Sequence, residues 1–133
     1  MKAIPSVKKY MTTTPYAINF ESTVEEAMKM MKKNQIRHLP VMNGKKFGVI
    51  SDRDLKFAMS LSGFDPKAAK VKDICEVDPY TTEPTTSISD VSAELAERRV
   101  GSALVVDNGH LVGILTTTDI CRALNDMCNN RFK

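Results

Sequence analysis

A chain of 133 residues with 42% hydrophobic content can bury one real core and is too short for two unrelated domains. It has no apolar run of the roughly 18 residues needed to span a bilayer, and Met1-Lys2-Ala3-Ile4-Pro5 leads into charged sequence, not a signal-peptide core, so a cytoplasmic protein is expected. A net charge of +3 gives nucleic-acid binding no support by itself, although residues 1–64 carry 11 Lys and Arg against 5 Asp and Glu while residues 65–133 carry 8 against 11.

From the N-terminus, Val7-Lys8-Lys9-Tyr10-Met11 is followed by Thr14-Pro15-Tyr16, a short opening segment expected to contain a strand. Ser22-Thr23-Val24-Glu25 has the Ser-x-x-Glu form of a capping box, and Val24, Ala27, Met28 and Met31 give an apolar stripe at helical spacing. A helix is predicted from about Thr23 to Asn34. Two short apolar runs, Leu39 to Met42 and Phe47 to Ile50, flank Asn43-Gly44, which marks a β-hairpin. A closing helix then starts at Ser51 and carries Leu55, Ala58 and Met59, and Ser62-Gly63-Phe64-Asp65-Pro66 begins a linker.

The same series then recurs. Val71-Lys72-Asp73-Ile74-Cys75, followed by Asp78-Pro79-Tyr80, repeats the opening segment at an offset of 64 residues. Ser87 with Asp90 opens a helix with Ile88, Val91 and Leu95 on its stripe, and Ala103 to Val106 and Leu111 to Leu115 flank Asp107-Asn108-Gly109 as a second hairpin. After one inserted residue the offset becomes 65, where Gly48-Val49-Ile50-Ser51 with Asp54-Leu55 meets Gly113-Ile114-Leu115-Thr116 with Asp119-Ile120. The organisation read from this is repeat 1 over 1–62, a linker over 63–70, repeat 2 over 71–128 and a tail over 129–133. Each repeat is too small to bury its apolar surface alone, so the expected fold is α+β, with two β-α-β-β-α repeats packed sheet to sheet as one module that pairs further into a homodimer.

Cys75, Cys121 and Cys128 are an odd set without a CxxC or Cys/His spacing, which argues against disulfides and zinc; they are expected to be buried or half-buried thiols. Catalysis is not expected. His38 and His110 sit at hairpin ends away from any Ser or Cys motif, and neither HExxH nor GxxxxGK[ST] occurs. No recognition helix or interleaving of aromatic and basic residues supports a nucleic-acid partner.

The doubled order of elements, Ile36-Arg37-His38-Leu39-Pro40-Val41, and the paired closing motifs Gly48 to Asp54 and Gly113 to Asp119 resemble the tandem CBS (cystathionine-β-synthase-type) domain pairs, over about residues 5–128. The resemblance implies a stand-alone regulatory module that binds an adenine nucleotide, AMP, ADP or ATP, in clefts between the repeats and signals to an effector protein; S-adenosylmethionine sensing and ligand-free dimerisation are the alternatives. No cofactor is required. By position, it implies one ligand set of Tyr16, Ile36, Arg37 and Pro40 with Ile114, Thr116, Thr118 and Asp119, and a second of Tyr80, Val100 and Ser102 with Val49, Ser51, Arg53 and Asp54.

A helix N-terminus offers unpaired N–H groups and partial positive charge to a phosphate, and a carboxylate one turn on can accept from two ribose hydroxyls. Equally, Ser51-x-x-Asp54 and Thr116-x-x-Asp119 read as helix caps that need no ligand. Arg53, with Lys45 and Lys46 nearby in sequence, suits the Asp54 set to a di- or triphosphate, whereas Thr117 and Thr118 suit the Asp119 set to a monophosphate or to no ligand. The second repeat has Gly101-Ser102-Ala103-Leu104 where the first has Arg37-His38-Leu39-Pro40, a further inequality between the two sets. The uneven charge favours an antiparallel dimer slightly.

Overall fold

The computed structural model describes residues 3–13 and 16–132, apart from the side chains of 131 and 132. Thr14 and Pro15 of the opening motif, and Met1, Lys2 and Lys133, lie outside the described residues. The chain is a mixed α+β structure in two compact units, one of residues 15–79, the other of residues 1–14 with 80–133.

In the unit of residues 15–79, β2 (Ile18–Asn19) runs parallel to β3 (His38–Asn43), which forms an antiparallel hairpin with β4 (Lys46–Ser51). Helix α2 (Val24–Asn34) precedes the hairpin and α3 (Asp52–Met59) follows it. Leu39, Val41 and Ile50 from the hairpin pack with Val24, Ala27, Met31 and Leu55 from the helices, the residues that the two periodicities mark. Pro40, on the opposite face of β3, is also buried, so this strand is covered on both sides, as its unbroken apolar run requires.

One cap lies one residue later than the sequence suggested. The N-cap of α2 is Thr23, not Ser22: its Oγ1 accepts from the Glu26 N–H at 3.2 Å and donates to the Glu26 carboxylate. Thr23 is also the residue 64 positions before Ser87, which caps α4 (Ile88–Arg98) by accepting from the Asp90 N–H at 3.0 Å. A pairing of Thr with Glu three residues on serves as well as Ser with Glu, and only register with the second copy distinguishes the two choices.

The other unit has a four-stranded sheet of order β1 (Thr12–Thr13), β7 (His110–Thr116), β6 (Ser102–Asp107) and β5 (Thr81–Thr82). Its helices are the one-turn α1 (Val7–Tyr10), α4, and α5 (Thr117–Phe132), which continues through residues 129–132 where the sequence carried no signal. Asn108 and Gly109 both take positive φ, 51° and 79°, in the two-residue turn between β6 and β7, the backbone demanded by the right-handed twist of the flanking strands. The pairing shifts by one residue between Val105, opposite Gly113, and Val106, opposite Leu111, so the residue that changes the repeat offset from 64 to 65 is accommodated as a bulge.

Neither hairpin keeps the opening segment of its own copy. The first opening segment forms α1 and β1, and β1 pairs antiparallel with β7 in the second copy's sheet, while Val7 and Tyr10 enter that unit's core. The Tyr10 hydroxyl donates to Asp126 Oδ2 at 2.8 Å, and this bond to the neutral phenol holds its pKa above the usual value. The second opening segment forms a 3₁₀ turn, Val71–Asp73, and buries Val71 in the first copy's core. Glu76 then exchanges two backbone hydrogen bonds with Val49 on β4, 3.0 Å and 2.8 Å long.

Both exchanged segments cross a glycine. A Cβ on Gly48 would lie 2.8 Å from the Glu76 carbonyl oxygen, and one on Gly113 would lie 3.0 Å from the Thr12 carbonyl oxygen and 2.6 Å from Met11 Sδ. Thr12 and Glu76 are 64 residues apart, so the same close approach is built twice. Gly48→Ala is expected to lose about 1–3 kcal/mol of stability by forcing the Glu76 strand outward, read as a lowered urea midpoint; a Lys45→Ala control at the exposed turn is expected to leave it unchanged within about 0.5 kcal/mol.

Candidate functional site

The chemistry-bearing residues concentrate where each β-hairpin runs into its closing helix. Ser51 ends β4 and caps α3: its hydroxyl accepts from the Asp54 N–H at 3.1 Å, and Asp54 Oδ2 accepts from the Ser51 N–H at 2.9 Å. The reciprocal capping box is complete without a ligand. Arg53, between them, is exposed and Asp54 is half-buried.

In the other unit, Asp119 is buried, with only 5% exposure. Its Oδ2 accepts from the Thr116 N–H at 2.9 Å and from Thr116 Oγ1 at 3.2 Å, and its Oδ1 accepts from Arg122 at 2.9 Å. Thr118 is exposed. The first Ser/Thr-x-x-Asp motif is therefore a reciprocal cap, whereas in the second the carboxylate accepts from both the N–H and the hydroxyl of Thr116.

The remaining residues of the two sets lie on the hairpins or on the segments that precede them, each within its own unit. Pro40 pairs with Val49 across the first hairpin, and Arg37 is exposed with its carbonyl accepting from the Asp52 N–H at 2.8 Å. Ile36 is half-buried against the same core, and Tyr16 is 56% exposed. In the second hairpin Ser102 is buried opposite Thr116, and Ile114 lies opposite both Leu104 and Thr12. Val100 is exposed, and Tyr80 is half-buried with its carbonyl accepting from the Leu104 N–H at 2.9 Å.

Two residues here escaped the sequence reading. The Arg98 guanidinium lies over the Tyr80 ring, 4.7 Å from its centroid, a cation–π contact between residues 18 positions apart for which no local pattern exists. Arg122 reaches Asp119 across one helical turn, a spacing the sequence does display.

His38 stands opposite Ser51 at the start of β3 and is half-buried. Burial pushes its imidazole below the ordinary value of 6.5; Asp54 opposes this and Arg37 adds to it. The cysteine expectation needs correction: Cys75 is half-buried, but Cys121 and Cys128 are exposed. The inward stripe of α5 is instead filled by Ala123, Ile120 and Met127. Burial raises the Cys75 thiol pKa.

Among the described residues no cluster of His, Cys, Asp or Glu is placed to hold a metal ion, and no helix is long and apolar enough to cross a membrane.

A model of the CBS domain matches the chain twice, over residues 7–61 and 71–126, and the chain belongs to that family. Among proteins like it, the CBS domain-containing protein YhcV of Bacillus subtilis (strain 168) is 30% identical over 125 residues, covering 93% of this chain and 87% of the relative. The inosine-5'-monophosphate dehydrogenase of Korarchaeum cryptofilum (strain OPF8) is 30% identical over 121 residues, which are 90% of this chain and 24% of the enzyme. The crystal structure of CBSX2 in complex with AMP superposes with a TM-score of 0.80 at 25% identity, covering 92% of this chain and 97% of that one.

Because the folded His38 value lies below the unfolded one, the unfolded chain binds the extra proton as pH falls through 6.5, and stability is lost from there down to the folded value. The drop in urea midpoint from about pH 7.5 to about pH 5.5 is therefore expected to be smaller in His38→Gln than in the wild type, a difference in which the other titrating groups cancel. Iodoacetamide at neutral pH is expected to modify Cys121 and Cys128 well before Cys75, as read by peptide mass mapping.

Proposed function

We propose that the chain is a cytoplasmic regulatory module, not an enzyme, that binds AMP, ADP or ATP and passes the signal to an effector protein. One observation carries the reading: the fold builds two helix starts of the same Ser/Thr-x-x-Asp form, each with its carboxylate held in place by backbone bonds. A carboxylate already oriented in this way accepts ribose hydroxyls with little further ordering. The structure of CBSX2 in complex with AMP, which this chain resembles at 25% identity, supports an adenine nucleotide as the ligand.

The two ligand sets implied by the family resemblance are retained. Asp54 and Asp119 take the ribose, Ser51 and Thr116 lie beside the phosphate, and Tyr16 and Tyr80 flank the bases with Ile36, Val100, Ile114 and Val49. Arg53 is exposed beside Asp54 and has no counterpart cation at Thr118, so the Asp54 set takes the longer phosphate chains. Against an enzyme stands the chemistry of the sites, whose described carboxylates and hydroxyls are bonded to one another and to backbone N–H groups at the helix starts.

The same chain is proposed to form a homodimer through the helical side of the 15–79 unit. There α2 and α3 border a groove of about 1050 Å³ whose apolar lining includes Met28, Met31, Ile36, Leu55 and Met59. Phe57 and Leu61 stand out beside them, 69% and 50% exposed. Covering such a surface removes apolar area from water.

Titration calorimetry with AMP, ADP, ATP and S-adenosylmethionine is expected to show saturable nucleotide binding, lost in a folded Asp54→Ala, Asp119→Ala double variant. No heat with any ligand would leave the two motifs as helix caps and the protein as a dimerisation module. Met59→Asp is expected to shift the sedimentation coefficient of the wild-type dimer to that of a monomer; an unchanged coefficient removes the groove as the interface.

A further inference from the structure

The two helix-start carboxylates occupy the same position in the repeat but are chemically different. Asp54 is half-buried, and among the described residues its bonded partner is the Ser51 N–H, on Oδ2. Asp119 uses both oxygens. Thr116 donates twice to Oδ2, and Arg122 closes over Oδ1 at 2.9 Å, leaving a side chain 7% exposed beneath a guanidinium-bearing side chain that is itself 60% exposed. The residue at the matching position of α3, at the offset of 65 that aligns Asp54 with Asp119, is Phe57, which has no group to donate.

We infer that Arg122 is a specificity-determining residue that withholds Asp119 from ribose hydroxyls, so that the second carboxylate binds a nucleoside only after the guanidinium has swung away. This rests on the proposed role of both carboxylates as ribose acceptors. The physical basis is competition for one oxygen. A carboxylate held by a backbone N–H, a hydroxyl and a guanidinium is near the limit of what its lone pairs accept in a buried site, and an incoming hydroxyl exchanges a charge-assisted bond for a neutral one. The exchange is possible because the Arg122 side chain is 60% exposed, so water rehydrates the guanidinium as it leaves. Asp54 carries no such competitor, so the inequality between the sites comes from the acidic residue's own helix as well as from the phosphate-side residues.

The test isolates the second carboxylate. In an Asp54→Ala background, the affinity for AMP is measured by titration calorimetry with Arg122 intact and as Arg122→Ala. Arg122→Met keeps the aliphatic stem against the helix should the alanine variant fold poorly. Removal of this competing donor predicts AMP binding about three- to fivefold tighter in both variants. The gain should be absent with 2′,3′-dideoxyadenosine 5′-monophosphate, which has no hydroxyls to offer Asp119.

Unchanged affinity overturns the role of Arg122, and so does a gain that persists with the dideoxy nucleotide. Weaker binding also overturns it, placing the guanidinium on the phosphate instead. AMP binding by the wild type that is lost in Asp54→Ala and not recovered in either Arg122 variant removes this inference while leaving the nucleotide reading intact. Absence of AMP binding in every form, wild type included, removes both.

Discussion

The structure depends on a pair of backbone hydrogen bonds at a sheet edge and on the glycine that lets them form. Val49 and Glu76 exchange N–H and C=O across the outer edge of β4, above Gly48, and the β1 segment runs in the same way along β7 above Gly113. In each case the edge that would otherwise present unpaired N–H and C=O groups is covered by a segment from the opening of the other copy. Val71 and Val7, both fully buried, anchor these segments in the cores they join. A unit of this size gains from every buried side chain, so the exchanged segments contribute to stability as well as to edge protection.

The consequence for chemistry is that each closing motif starts from a strand held on both sides. β4 is fixed between β3 and the Glu76 segment, and β7 between β6 and β1. Strands held in this way deliver Ser51 and Thr116 to defined helix starts, and the cap bonds then orient Asp54 and Asp119 within a few tenths of an ångström of ideal hydrogen-bond lengths. From that common plan the copies diverge through single side chains. Arg122 replaces Phe57 on the helix, Thr118 replaces Arg53 beside the carboxylate, and Arg98 covers Tyr80 where the first copy has Asn34, whose amide instead bonds the Met30 carbonyl at 2.9 Å.

Helices and hairpins were legible along the chain because their causes are local. Val24, Ala27 and Met31 fall on one helical face whatever packs against it, and Asn108-Gly109 supplies positive φ with no help from the rest of the fold. The contacts of Asp54 with Ser51 and of Asp119 with Thr116 were equally legible, since residues three apart at a helix start meet by geometry alone. Thr23 was missed as a cap because Ser22 satisfies the same rule, and the decision lay in a comparison with Ser87. Exposure of Cys121 and Cys128 was missed because seven-residue spacing places two side chains on one face without saying which way that face turns.

The sequence by itself determined the doubled α+β plan, through the offsets of 64 and 65 residues, and the central helix, the hairpin and the closing helix of each copy with its Ser/Thr-x-x-Asp start, which follow from spacing within about ten residues; it did not determine the helical turns Val7–Tyr10 and Val71–Asp73 that open the copies. Only the tertiary structure decided that each opening segment completes the opposite copy's sheet, since a repeat offset is the same whichever hairpin the segment joins. It alone decided that Gly48 and Gly113 are glycines because a carbonyl passes 2.8 Å and 3.0 Å from where a Cβ would stand. The placing of Arg98 over Tyr80 is likewise tertiary, because two residues 18 apart meet only when a helix end has packed against the strand that precedes the helix.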